Sequence, residues 1–356
     1  MPDTAAAAQR SGMGMDIAET PAIIDRVVRD RAGITAAADA IRRARPRWAT
    51  IVARGSSDHV GIYLQYLLET HCGLPAGLAV PSATTIYGAR LRWRDGLLIA
   101  VSQSGESPDV RLLVEEARRG GGLTVAITNH PDAPVGRAAE HVLDCQAGTE
   151  RAIPATKTYV ACLAVSASLV AALAPGSELA VAMGGIADAL VDATRQGAAW
   201  LDGPGGGLLD DLAAADRALV ISRGYNLSTA YETALKLKEA CGVFASGYSS
   251  ADVLHGPMVV AAPGIPVLAF RPDGPIGASI DEAIVAAEAR GISPWRVGGS
   301  EVEGRPRAVS LAREMPDSLT PLPYAIMGQL LCDRLAARAG VSPDAPIGLS
   351  KVTRTL

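Results

Sequence analysis

Two stretches of this chain carry one pattern: IVARGSSDHVGIYLQYLLE, residues 51–69, and VISRGYNLSTAYETALKLKE, residues 220–239. Each reads as an apolar strand, an Arg-Gly turn (Arg54-Gly55 and Arg223-Gly224), a polar cap and a long helix. A strand that feeds directly into a helix is the building unit of a parallel sheet. Its recurrence predicts a duplication at domain scale.

Working outward from the first copy, strands are expected at 48–53, 96–101, 123–128 and 141–144. Helices are expected at 16–29, 34–44 and 108–119, the last with Val110, Leu113, Val114 and Ala117 on one face. Around the second copy, strands are expected at 217–222, 264–270 and 308–311, with helices at 228–240 and 323–340. Strands alternating with helices predict an α/β fold of two half-domains, each a doubly wound parallel sheet flanked by helices. The expected division is a disordered leader over 1–12, half-domains over 13–200 and 201–347, and a closing tail over 348–356. The halves should meet at the glycine-rich break of residues 202–207.

Composition excludes several classes of function. Acidic residues slightly outnumber basic ones, 37 to 33, so no broad electrostatic footprint for nucleic acid exists. The five cysteines, Cys72, Cys145, Cys162, Cys241 and Cys332, are dispersed without metal-ligand spacing, which predicts reduced thiols and no metal. The apolar run 158–174 is marginal in length for a membrane span and contains Ser166 and Ser168. A buried core helix is expected there instead.

Three segments could carry chemistry. Ser102-Gln103-Ser104-Gly105-Glu106-Ser107 sits where a strand meets a helix, and such a junction offers unpaired backbone N–H groups to a phosphate. Ser56 and Ser57, at the end of another strand, could face the same ligand. The bland alternative is an ordinary helix cap. Glu232, Lys236 and Glu239 share a helix face, as a solvated ion-pair stripe or as a proton-shuttling carboxylate beside an ammonium. His255 precedes a rigid Gly256-Pro257 turn in a loop, where function concentrates.

Taken in order, SQSGES, ETALKLKE, SSADVLHGP (249–257) and the final GLSKVTRTL (348–356) resemble the SIS (sugar isomerase) sugar-phosphate isomerases. The likeness is strongest to the isomerase half of glucosamine-6-phosphate synthase and to hydrolytic glucosamine-6-phosphate deaminases. It begins at Met13-Gly-Met-Asp-Ile-Ala-Glu-Thr-Pro21, similar to the family's opening helix. The resemblance implies two flavodoxin-like SIS half-domains. It implies a phosphate site at Ser56, Ser57, Ser102, Gln103, Ser104 and Ser107. It implies that Glu239 moves a proton between C1 and C2. By the same likeness His255, often lent by a neighbouring subunit, opens the sugar ring, and Lys351 closes over the sugar. Glu232 and Lys236 match residues near the open-chain substrate. The segment 148–157, GTERAIPATK, resembles a sugar-contacting loop, but Ala155 stands where a serine is usual and Pro154 is unexpected. That leaves the backbone of Ile153 as the sugar contact.

The synthase also needs a glutaminase domain with cysteine after the initiator, where this chain has Pro2. The expectation is therefore a cytoplasmic glucosamine-6-phosphate deaminase giving fructose 6-phosphate and ammonia, without cofactor. It should be a homodimer with shared sites, away from nucleic acid and membrane. The alternatives are an aldose–ketose 6-phosphate isomerase, a fructosamine-6-phosphate deglycase, or a non-catalytic sugar-phosphate sensor.

Overall fold

The computed structural model describes residues 11–311, 313–346 and 348–351. Among these residues, ten strands form two five-stranded sheets, every pairing parallel. The first holds β1 (Trp48–Val52), β2 (Ala76–Leu78), β3 (Gly96–Val101), β4 (Leu123–Thr128) and β5 (His141–Asp144), in the order β2-β1-β3-β4-β5. The second holds β6 (Arg217–Ser222), β7 (Phe244–Ser249), β8 (Val267–Arg271), β9 (Trp295–Gly298) and β10 (Ala308–Ser310). Read from its far edge, its order is β7-β6-β8-β9-β10, the same winding as the first. The duplication read from the two strand–turn–helix segments is therefore present strand for strand.

The central strands are apolar without alternation because helices cover both faces. All of β3 is buried, Gly96 to Val101. The helix Lys157–Leu173 is apolar around its whole circumference and buried from Lys157 through Ala167. It is the core helix that the run 158–174 implied. It packs against Gly12–Arg29, Ala32–Ala44 and Ser56–Cys72. Among the described residues no helix is long and apolar enough to cross a membrane.

Several boundaries moved. Most of the leader expected over 1–12 lies outside the described residues, but its last two residues are part of the fold. Ser11 caps the helix Gly12–Arg29, and the backbone N–H groups of Gly12 and Met13 donate to the Asp344 carboxylate at 2.6 and 2.8 Å. The glycine-rich break is only partly a break, since Gly206–Ala213 is a helix. A Cβ on Gly205 would stand 2.4 Å from the Trp200 ring, so this glycine is required by close packing. β7 was not expected because Phe244-Ala-Ser-Gly-Tyr-Ser is polar for a strand, and β2 and β9 because Gly77 and Arg296 interrupt their apolar residues.

In each sheet the chain runs outward to one side of its first strand and then crosses to the other. This leaves a crevice at the carboxyl ends of β1 and β3, and another at β6 and β8. The two crevices differ in chemistry. β3 runs into the serine loop, whereas β8 ends on Arg271, whose buried guanidinium is consumed by Asp281 (2.7 Å) and Glu301 (2.5 Å).

Candidate active site

A cleft of about 330 Å³ opens at the β1/β3 crevice. Its floor is Ser56 and Ser57 after β1, and Ser102, Gln103, Ser104 and Ser107 after β3. Ile153 and Ala155, Glu239, and the tail residues Leu349 to Lys351 form its other walls. Nine of the twelve residues singled out from sequence thus line one cavity.

The serine loop is shaped by local bonds. Gly105 adopts φ +67°, and a Cβ there would meet Ala133 at 2.5 Å, so only glycine closes this turn. Ser102 Oγ accepts from the Gly105 N–H and Ser104 Oγ from the Glu106 N–H, both at 3.2 Å. Ser107 occupies the cap position of the helix Pro108–Arg119, yet its side chain makes no capping bond. The cap explanation of this loop therefore fails at the residue where it should hold. Arg54 also faces the cleft, and its guanidinium pairs at 2.6 Å with the buried Asp109 carboxylate in that helix's first turn.

Glu239 arrives from the other half-domain, on the helix Leu227–Cys241 that follows β6. The two duplicated helices, Ser56–Cys72 and Leu227–Cys241, pack against each other, and a chain of charges crosses their seam. Lys236 Nζ donates to Glu239 and to Ser56 Oγ (3.1 Å), and stands 3.3 Å from Glu232 Oε1. The other oxygen of Glu232 pairs with His59 Nδ1 at 2.8 Å. Burial alone would raise the Glu232 carboxyl, but the Lys236 charge and the His59 hydrogen bond outweigh it and hold it below its usual range. Burial alone would lower the Lys236 ammonium, and the charges of Glu232 and Glu239 reverse that and raise it.

The loop after β5 is fixed from both sides. Asp16, fully buried on the opening helix, accepts from the backbone N–H groups of Arg151 (2.7 Å) and Ala152 (3.2 Å), and pairs with Lys157 at 3.0 Å. Glu150, its side chain 1% exposed, collects the rest. It accepts from Gln103 Nε2 (2.6 Å), from the N–H and hydroxyl of Thr158 (3.1 and 2.7 Å), and from the Thr156 N–H (2.7 Å). Lys351 Nζ completes the set at 2.8 Å and also donates to the carbonyls of Ala152 (2.6 Å) and Ile153 (3.2 Å). One carboxylate thus joins the serine loop, the loop after β5 and the tail.

Two expected placements need correction. Glu232 and Lys236 are not in the cleft wall; they are buried behind it, with side chains 3% and 1% exposed, and reach the cleft through Glu239 and Ser56. His255 follows the short helix Ser250–Leu254, is exposed, and does not line this cleft. Three residues were missed. Arg54 had its signal in the Arg-Gly turn, and Glu150 in the GTE of residues 148–150. His59 lies one helical turn beyond Ser56 and so on the same face.

A model of the SIS domain matches residues 44–172. A protein of Silicibacter pomeroyi assigned as a phosphosugar isomerase is 34% identical in sequence; the match covers 94% of this chain and 100% of that one, with a TM-score of 0.82. The chain belongs to the SIS phosphosugar isomerase family. Within that family, the isomerizing glutamine–fructose-6-phosphate aminotransferase of Methanothermobacter thermautotrophicus is 33% identical over 308 residues, covering 84% of this chain and 50% of its own length. The chain thus spans about half the length of the curated relatives it matches. The glucosamine-6-phosphate deaminase of Thermotoga maritima shares the fold, with a TM-score of 0.75 at 19% identity over 97% of this chain and 100% of that one.

Proposed function

We propose that this SIS enzyme deaminates glucosamine 6-phosphate to fructose 6-phosphate and ammonia. The observation that carries the reading is Glu239. Among the described residues it is the one carboxylate in the cleft wall, opposite a floor of serine hydroxyls. Neutral hydroxyl and N–H donors suit a phosphate dianion. The hydrogen bond from Lys236 fixes that carboxylate at the cleft, where it can act as the proton acceptor.

In the proposed reaction the ring opens to expose the C1 aldehyde. Glu239 takes the C2 proton, giving an enolamine, and returns it at C1, giving an imine at C2. Water adds to C2, and ammonia leaves with the nitrogen. Lys351, held over Ile153, would stabilise negative charge at the sugar oxygens. His255 would open the ring from a second copy of the chain, since it is exposed and does not line the cleft of its own. Support for an amino sugar comes from the named activities of two relatives, the aminotransferase and the deaminase.

The test is to supply glucosamine 6-phosphate and measure ammonia and fructose 6-phosphate together. Equal release of both is expected. Aldose–ketose interconversion without ammonia would replace this reading with a plain isomerase. Ammonia from fructosamine 6-phosphates alone would make it a deglycase. Tight sugar-phosphate binding without turnover would make it a sensor.

A further inference from the structure

We infer that His59 is a positioning residue for the proton-transfer carboxylate, acting on Glu239 through Glu232 and Lys236. The inference rests on the reading of Glu239 as the base.

Lys236 is a single buried ammonium between two carboxylates, Glu232 and Glu239. Each carboxylate competes for its protons. Glu239 wins a hydrogen bond, while Glu232 Oε1 remains at 3.3 Å without one. What allows that outcome is on the far side of Glu232. Its Oε2 is held at 2.8 Å by His59 Nδ1, from the other half-domain. A buried carboxylate stripped of its hydrogen bond is costly. Without His59, Glu232 would recover the loss by drawing the ammonium toward itself, away from Glu239 and Ser56. The general base would then lose the contact that fixes its orientation.

The partner of His59 Nδ1 is an ionised carboxylate, so this nitrogen carries the proton. A neutral imidazole with the proton on Nδ1 donates as well as an imidazolium does. The positioning effect therefore needs the donor at that atom, not a particular charge. The His59 ring is itself fixed by the Tyr231 ring, centroid to centroid 5.8 Å.

The experiment compares His59→Ala, His59→Leu, His59→Asn and His59→Gln, with Glu239→Gln as reference. Each is assayed for turnover, for exchange of the substrate C2 hydrogen with solvent deuterium, and for sugar-phosphate affinity. His59→Ala and His59→Leu should lower kcat and exchange together by tens-fold to about 100-fold, the scale of a misplaced catalytic group. KM should move by no more than about threefold, because the serine floor keeps most of its contacts. His59→Asn, whose amide N–H overlays Nδ1, should restore most of the rate, and His59→Gln should not. Should alanine or leucine prevent folding, the asparagine and glutamine pair decides alone. Full activity in His59→Leu, or equal rescue by asparagine and glutamine, overturns the inference while an inert Glu239→Gln leaves the functional reading standing. An active Glu239→Gln overturns both.

Discussion

The ammonium of Lys351 sits 2.8 Å from a carboxylate oxygen of Glu150, a residue 201 positions earlier in the chain. The same oxygen accepts from Gln103 of the serine loop. Glu150→Gln would keep an acceptor for the backbone N–H groups of Thr156 and Thr158 but turn an amide N–H₂ toward Gln103, Lys351 and the Thr158 hydroxyl. Losing a charge-assisted hydrogen bond costs roughly 1.5–3 kcal/mol. Turnover should fall about 10- to 100-fold, and Lys351→Met should fall similarly. If either variant retains parental kinetics with a parental melting temperature, the tail contact has no part in the reaction.

Ser107 caps a helix by position but not by bonding. Ser107→Ala should therefore leave thermal stability within about 0.5 kcal/mol, whereas a working cap would cost roughly 1 kcal/mol. Its effect should appear in KM for the phosphosugar, raised by about tenfold or more. Ser104→Ala should behave alike. A lower melting temperature with unchanged KM would return both serines to a purely structural role.

His255 lies outside its own cleft, so complementation between copies tests where it acts. His255→Ala and Glu239→Gln should each be nearly inactive alone. Unfolded and refolded together in equal amounts, they should recover about a quarter of parental activity, because half of the dimers would carry one intact site. No recovery, with mixed dimers demonstrated by mass spectrometry, would mean that one copy must supply both residues.

Asp317 gives a pH signature of stability. Burial raises its carboxyl from 3.8 to about 6, against a weaker opposing hydrogen bond from Thr320. The folded state therefore holds that proton more tightly than the unfolded state. Its ionisation destabilises the fold progressively as pH rises from about 4 to about 6, and the full penalty persists at pH 7. Asp317→Asn should raise stability at pH 7 by on the order of 1–3 kcal/mol and change little near pH 4. Urea unfolding at the two pH values measures this, and equal effects at both would contradict it.

The fold was legible where local chemistry is strong. β1 and β6 announce themselves as apolar runs ending in Arg-Gly, and the helices after them keep their cores in register. β7 did not, because its face toward the Tyr231 helix is made of Ala and Gly. The cleft floor was legible because its serines are contiguous. Glu150 and His59 were not, because their partners are remote in sequence: Lys351 for one, Glu232 for the other. No local pattern encodes a contact made only when two half-domains close on each other.

The unequal fate of the two crevices has a consequence for how such a protein changes over time. The first copy has a hydroxyl floor at its crevice, while the second has Arg271 and its acids in the matching place. To the cleft of the first copy the second contributes a carboxylate on a helix. On the proposed reading, neither half alone carries both the serine floor and the carboxylate. Selection for turnover must then fall on the seam between them, and a substitution there can abolish catalysis while both halves still fold.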